Sequence, residues 1–175
     1  MAAGQDFESV VACYYEPLYK FAFSLARAKS EACDLTQQTF YVWAAKGHQL
    51  RDQSKVKTWL FTTLHRQFLE SRRRQTRFPH HELDEVEFEL PTVAPNFANR
   101  LDGATVMGAL GQVDEVYQAA VALFYLEDYA YKEIAEILNV PLGTVKSRIA
   151  RGIAQLQKLL AVDLAVGENP QTPPP

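Results

Sequence analysis

Basic and hydroxyl side chains gather near the start of a helical pattern in the C-terminal part of the chain. Residues 139–161 carry four Lys or Arg and no acid, a local charge of +4. Arginine can donate two hydrogen bonds to O6 and N7 of guanine, and a helix N-terminus can hold a phosphate. We therefore predict a DNA-contacting surface made of Thr144, Lys146, Ser147, Arg148 and Arg151.

The surrounding spacing predicts the elements that would position these side chains. Ile134, Ala135 and Leu138 mark one face of a short helix, residues 139–143 form a tight turn, and Thr144 is expected to cap the next helix. That helix has a buried stripe of Val145, Ile149, Ile153, Leu156 and Leu160. An isolated basic pair is more often a solvated surface, but this combination is typical of a DNA-binding helix-turn-helix.

Charge is distributed unevenly along the rest of the chain. The net charge of −3 would argue weakly against nucleic-acid binding if it were evenly spread. Instead, residues 51–77 carry a net +6 and residues 80–102 a net −5. Because charges beyond a Debye length of about 8 Å are screened, the local field decides whether a polyanion is attracted.

Apolar residues recur at three- and four-residue steps, which predicts an all-α fold. A first helix covers the region from Phe7, and Pro17 is expected to open a second one, because proline is tolerated in a first turn. Further helices are predicted over about 31–45 and from 55 past 74, with a loop at 47–54.

The prolines and acids after Phe78 divide the chain into two small helical domains joined by an acidic linker. The predicted boundaries are 1–77 for the first domain, 78–96 for the flexible linker, 97–164 for the helix-turn-helix domain and 165–175 for a disordered tail. A solvated linker and an acidic mimic of nucleic acid are equally compatible with the linker's composition.

Several functional classes are disfavoured. No apolar run has the roughly 18 residues that a membrane helix needs, and no secretory signal is expected. Cys13 and Cys33 fit reduced thiols in a cytoplasmic protein. No metal site, cofactor or enzymatic activity is expected, because the acids cluster in the linker and the four histidines lack ligand spacing.

The run from Tyr131 to Arg148 is similar to domain four of bacterial extracytoplasmic-function (ECF) sigma factors. This resemblance implies that the basic residues of the helix-turn-helix recognise the −35 promoter element. Ala130 departs from the family, which usually has a Ser or Thr cap at that position.

Residues 31–40 resemble the helix of sigma domain two that docks on a coiled coil of the largest polymerase subunit. The resemblance implies polymerase contacts by Asp34, Leu35, Gln37 and Phe40, although any surface helix can show such a mixed face. Cys33 and Gln38 replace acids that the family commonly has. One hypothesis is that a regulatory kinase restores the charge by phosphorylating Thr36 or Thr39.

Residues 58–74 resemble the family helix that recognises the −10 element. The resemblance and the preceding basic loop imply −10 contacts by Arg51, Lys55, Thr62, His65, Arg66 and Arg73. His65-Arg66 stands where the family more often has Arg-Asn, which puts the recognised base in doubt. Trp59 is predicted to be core, and Arg72 to Arg74 are either phosphate contacts or a solvated helix end.

The resemblance therefore implies a sigma factor that binds core RNA polymerase and directs transcription initiation at promoters. Promoter DNA, core polymerase and an anti-sigma factor or regulatory kinase are the expected partners, without membrane insertion. The alternative is a stand-alone helix-turn-helix regulator that does not bind polymerase.

Overall fold

A computed structural model describes residues 6–75 and 103–167 of the chain, with side chains described as far as residue 161. Every regular element in these two segments is helical, which confirms the predicted fold class. We call residues 6–75 the N-terminal half and residues 103–167 the C-terminal half. No helix within them is both long enough and apolar enough to cross a membrane.

Seven α-helices account for most of the described residues. They are α1 (Phe7–Ala26), α2 (Lys29–Lys46), α3 (Val56–Gln75), α4 (Gly103–Leu110), α5 (Glu115–Glu127), α6 (Tyr131–Leu138) and α7 (Leu142–Gly167). The predicted loop between α2 and α3 contains two 3-10 turns, Gly47–Gln49 and Gln53–Lys55. The predicted limits of α2 and α3 lie within two residues of those observed.

The predicted helix start at Pro17 is wrong, because Pro17 lies inside the continuous helix α1. An interior proline costs about 3 kcal/mol through its lost hydrogen bond and the clash of its ring. Burial of one long face offsets this cost, since Val10, Leu18, Phe21 and Leu25 all lie in the core. Tertiary packing thus decides where this helix begins.

Helix α1 is the centre of the packing. It contacts α2 and α3 of its own half and also α5 of the C-terminal half. The ring of Phe21 lies 5.3 Å from that of Phe61 on α3, and Phe61 lies 5.7 Å from Tyr129, between α5 and α6. The guanidinium of Arg27 also donates a 2.8 Å hydrogen bond to the carbonyl of Val113. The two halves therefore share one apolar core.

The division into 1–77, 78–96, 97–164 and 165–175 stays a prediction. The linker at 78–96 lies outside the described residues, as do 97–102 of the second predicted domain and 168–175 of the predicted tail. Helix α7 continues to Gly167, so regular structure extends past residue 164.

Helices α4, α5 and α7 enclose a second apolar cluster. Its buried members are Ala109, Leu110, Val113, Val121, Leu156 and Leu160. Gln118 is fully buried beside it and donates a 2.9 Å hydrogen bond to the carbonyl of Leu110. At the start of α5, Gln155 accepts from the backbone N–H of Asp114 and donates to its carboxylate. These contacts hold α4 and α7 against α5.

Gly152 allows α7 to approach α5 closely. A Cβ atom at this position would lie 2.2 Å from Cγ2 of Val121 and 3.1 Å from Cβ of Tyr117. We expect Gly152→Ala to lower the free energy of unfolding by about 1–2 kcal/mol, because overpacking outweighs the gain in helix propensity. Urea denaturation would measure this loss.

Gly108 on α4 provides the matched control, since a Cβ there would meet nothing within 4 Å. Gly108→Ala should leave stability unchanged or raise it by up to about 1 kcal/mol. Equal stability of the two variants would contradict the close approach at Gly152.

Candidate nucleic-acid interface

The helix-turn-helix is formed by α6, a tight turn and α7. Asn139 ends α6 in the left-handed region at φ 54°, a conformation that asparagine tolerates better than most residues. The N–H of Val140 then bonds to the carbonyl of Ala135 at 3.1 Å. Helix α7 begins at Leu142, and its predicted apolar stripe is buried. The sequence-based prediction of this motif is confirmed.

The predicted capping role of Thr144 is wrong. Helix α7 starts two residues earlier, and the N–H of Val145 already bonds to the carbonyl of Pro141 at 3.2 Å. Thr144 therefore lies within the first turn, where it is half-buried. Its hydroxyl still lies near the helix N-terminus, where backbone N–H groups favour an anion.

At Ala130, the missing Ser or Thr cap is partly compensated. The carboxylate of Glu133 accepts a 2.8 Å hydrogen bond from the N–H of Ala130. This is one of the two bonds of a capping box, and it anchors the start of α6 without a hydroxyl at Ala130.

The basic residues of α7 are not equally available. Lys146 is exposed, whereas Ser147 and Arg151 are half-buried. Arg148 is also half-buried, and its Nε has no hydrogen-bond partner among the described residues. Burial lowers the pKa of Arg148. The structure thus gives Arg148 an environment unlike that of a solvated DNA-contacting arginine.

Most of the predicted −10 residues lie at the surface of the N-terminal half. Arg51, Lys55, Arg66 and Arg73 are exposed, and Thr62 is half-buried. Asp52 shapes the loop before α3, because its carboxylate accepts hydrogen bonds from both the N–H and the hydroxyl of Ser54. These bonds lower the pKa of Asp52.

His65 does not lie at the surface with them. Its side chain is buried in the core, with only 7% of the residue exposed. Burial and the nearby charges of Arg148 and Arg66 lower the pKa of His65 to about 4. The structure therefore places His65 in the core and not with the exposed basic side chains of this surface, and its DNA contact stays a prediction.

The residues predicted for polymerase binding fall on two sides of α2. Asp34 and Gln37 are exposed. Leu35 and Phe40 are instead buried in the core, so the structure does not bring them to the same surface, and their polymerase contact stays a prediction. Tyr41 shares the exposed face and is 70% exposed, although sequence reasoning missed it. Tyr41 follows Asp34 by seven residues, which is about two helical turns, and this spacing could have indicated that both lie on the same face of α2.

Thr36 and Thr39 are fully buried. Their hydroxyls donate hydrogen bonds of 2.8 Å and 2.7 Å to the carbonyls of Ala32 and Leu35. A kinase cannot reach hydroxyls in this environment, and a phosphate there would place about −1.5 to −2 charges in the core. The phosphorylation hypothesis therefore does not fit the folded chain.

The comparisons with known proteins match both halves. The family model described as Sigma-70 region 2 matches residues 10–78, and that described as Sigma-70, region 4 matches residues 104–156. Together these two matches define an all-helical protein of the sigma-70 class, and its helix-turn-helix lies in the part matched by region 4.

Curated relatives narrow the class. An ECF RNA polymerase sigma factor, SigE of Mycolicibacterium smegmatis, is 32% identical over 91% of this chain. This chain spans 63% of that relative's length. SigM of Bacillus subtilis, also an ECF sigma factor, is 27% identical over 87% of this chain and 93% of its own length.

A solved structure shows the same fold. It is the sigma factor RpoE of Bartonella quintana, in complex with the anti-sigma factor NepR, with a TM-score of 0.70 and 28% identity. The match covers 91% of this chain and 99% of that one. The chain belongs to the ECF family of RNA polymerase sigma factors. Proteins of this family are non-enzymatic transcription initiation factors.

The environment of His65 predicts a pH dependence of stability. Below its ordinary pKa of 6.5 the histidine is protonated in the unfolded chain, but in the folded chain it stays neutral down to about pH 4. The free energy of unfolding is therefore undiminished by His65 at pH values well above 6.5. As the pH drops towards 4, protonation of His65 in the unfolded chain lowers this free energy by about 2–3 kcal/mol. Urea unfolding at pH 7.5 and pH 4.5 would measure the loss.

Acid also protonates the Asp and Glu side chains, which can change stability as well. Two glutamine variants separate the contribution of His65 from that of these carboxylates. His65→Gln should lose about 2 kcal/mol less than the wild type between the two pH values. His48→Gln, at an exposed histidine, should keep the wild-type pH dependence. If His65→Gln shows the same acid-induced loss as the wild type, the assignment to His65 is wrong.

Proposed function

We propose that this chain binds core RNA polymerase and directs transcription initiation at promoters with −10 and −35 elements. The observation that carries the proposal is the presence of two basic helices, α3 and α7, in two regions that match sigma regions 2 and 4 in order. A stand-alone helix-turn-helix regulator would need only the part of the chain that matches region 4.

The exposed face of α2 is suited to docking on polymerase. Asp34, Gln37 and Tyr41 combine a negative charge, an amide and a large aromatic ring. Tyrosine has an apolar ring and a polar hydroxyl, and it is enriched among the interface residues that contribute most of the binding energy. We assign this face to the polymerase and the residues behind it, including Leu35 and Phe40, to the core that supports it.

The basic side chains around α3 are suited to the −10 element. Arg66 and Arg73 lie exposed on the helix, and Arg51 and Lys55 lie exposed in the loop before it. Cations in such positions release counterions from the DNA backbone and attract a separated strand. On α7, Lys146, Ser147, Arg148 and Arg151 are assigned to the −35 element, with Thr144 near a phosphate.

The proposal includes no catalytic step, metal or cofactor. Among the described residues, no three side chains of His, Cys, Asp or Glu converge in a metal-binding group. The chain would act in the cytoplasm, where polymerase and promoters meet. An anti-sigma factor is a further proposed partner, since the Bartonella quintana sigma factor was solved in complex with one.

Run-off transcription tests the proposal. Purified chain with core polymerase and fragmented genomic DNA should give discrete transcripts whose start sites share two upstream elements. A regulator that never binds polymerase would instead bind its DNA alone and give no transcripts above those of core polymerase.

The two DNA-contacting helices should respond differently to alanine substitution. Arg151→Ala should relax −35 specificity and cost about 1–3 kcal/mol at its base pair, whereas Arg73→Ala should weaken binding across sequences and reduce the salt slope by about 1. Holoenzyme binding to promoter variants at several salt concentrations would measure both. Normal binding and transcription by both variants would contradict these DNA contacts.

Tyr41 should contribute to polymerase binding. We expect Tyr41→Ala to raise the Kd for core polymerase about tenfold with little change in thermal stability, because the removed ring is mostly exposed. Val116→Ala, which removes an exposed apolar side chain from the C-terminal half, is the control. Equal affinity of the Tyr41 variant and the wild type would place the docking face elsewhere.

A further inference from the structure

An apolar side chain lies exposed at the start of the second helix of the helix-turn-helix. Leu142 is the first residue of α7, and 36% of it is exposed. It belongs to neither of the two apolar clusters formed by the described residues. By contrast, Val140 packs against the larger cluster, and its N–H bonds to the carbonyl of Ala135. Val140 thus supplies the apolar contact of the turn, and Leu142 adds nothing to the core.

The surface around Leu142 is open. Pro141, Gly143 and Lys146 are also exposed. A Cβ atom added at Gly143 would meet nothing within 4 Å. Lys146 follows Leu142 by four residues, which places both on the same side of α7. We call Leu142, Gly143 and Lys146 the leading edge of α7, and this edge is accessible in the folded chain.

The position of Leu142 matters more than its exposure. Single exposed leucines are common on protein surfaces and carry no argument alone. In a docked helix-turn-helix, however, the N-terminal residues of the second helix contact base edges in the major groove. The charge of +4 over residues 139–161 favours the approach of DNA to this helix. The leading edge is therefore the part of α7 that comes closest to the bases.

Thymine is the base whose major-groove edge suits a leucine. Guanine, cytosine and adenine present hydrogen-bond donors and acceptors in this groove, whereas thymine also presents its C5 methyl group. A leucine makes no hydrogen bond with a polar base edge, and close contact would leave that edge without a partner. Against the methyl group of thymine, a leucine buries apolar surface on both sides. Contact with thymine is therefore favoured over contact with the other three bases.

We propose that Leu142 is a specificity-determining residue that contacts the C5 methyl group of a thymine in the −35 element. The inference rests on the proposed function, because it takes the −35 element as the DNA that meets α7. It adds an apolar contact to the polar contacts already assigned to this helix.

The spacing along α7 relates the new contact to that of Lys146. An α-helix rises about 1.5 Å per residue, so Leu142 and Lys146 lie about 6 Å apart along its axis. Successive bases of one DNA strand lie about 3.4 Å apart. The thymine is therefore expected within about two base pairs of the pair that Lys146 contacts.

Removal of single methyl groups from the DNA tests this contact. The probe is promoter DNA mapped by run-off transcription, bound by the holoenzyme of the full chain and core polymerase. Each thymine of the −35 element, on either strand, is replaced in turn by deoxyuridine, which lacks only the C5 methyl group. One replacement should raise the Kd of the wild-type holoenzyme about fourfold, the factor expected for one buried methyl group.

Variants of Leu142 assign this penalty to its side chain. Leu142→Ala should raise the Kd for unmodified DNA about fourfold, and the sensitive deoxyuridine replacement should then cost nothing further. Leu142→Met, which restores a long apolar side chain, should restore the penalty. Val116→Ala is the matched control, because it shortens an apolar side chain that is 43% exposed on α5. This control should respond to deoxyuridine as the wild type does.

Three results would overturn the inference. They are a −35 element in which no deoxyuridine replacement raises the Kd, a penalty that persists in Leu142→Ala, and weaker binding of core polymerase itself by that variant. The last result would assign Leu142 to a protein interface. Transcripts from the wild-type chain together with any of these results would reject the thymine contact and leave the sigma-factor assignment standing. A wild-type chain that starts no transcripts would reject both.

Discussion

The aromatic contacts from Phe21 to Phe61 and from Phe61 to Tyr129 join the two halves of the chain. They cross from α1 through α3 to the segment between α5 and α6, at centroid separations of 5.3 Å and 5.7 Å. Each half thereby buries apolar surface that it would otherwise expose, at a gain of about 25 cal/mol per Å². The described residues therefore behave as one packed unit, and the position of every candidate site follows from that packing.

This constraint divides the candidate residues into two groups. Side chains directed away from the shared core, such as Asp34, Tyr41, Arg66 and Lys146, are exposed and ready to meet a partner. Side chains directed into it, such as Leu35, Phe40 and His65, stabilise the fold. Arg148 stands between the groups, because it belongs to the second helix of the helix-turn-helix but is half-buried, with its Nε shielded from solvent.

Local periodicity predicted most of the helices and the helix-turn-helix, because amphipathic spacing is a property of the segment itself. It failed at Pro17, where burial of α1 against four other helices outweighs the local cost of proline. Neither periodicity nor the resemblance indicated that Thr36, Thr39 and His65 are buried, because their exposure is set by neighbours distant in sequence. The exposed position of Tyr41 could have been predicted from its spacing from Asp34. The half-burial of Arg148 could not, since burial depends on tertiary packing that local spacing does not show.

Resemblance to a family predicts which residues have a role, but it does not predict how exposed their side chains are in the folded chain. The motif around α7 identifies Lys146, Ser147, Arg148 and Arg151 as equivalent candidates, whereas the packed structure distinguishes them by exposure. The functional question that remains is whether the halves separate when the chain meets its polymerase.

The distance between α1 and α5 answers that question most directly. Spin labels at Lys20 and Val116, both exposed, in a chain with Cys13 and Cys33 changed to Ser, would report it before and after core polymerase is added. The account predicts one narrow, short distance in the free chain and a longer distance in the complex. A broad distribution in the free chain, or the same short distance in the complex, would contradict it.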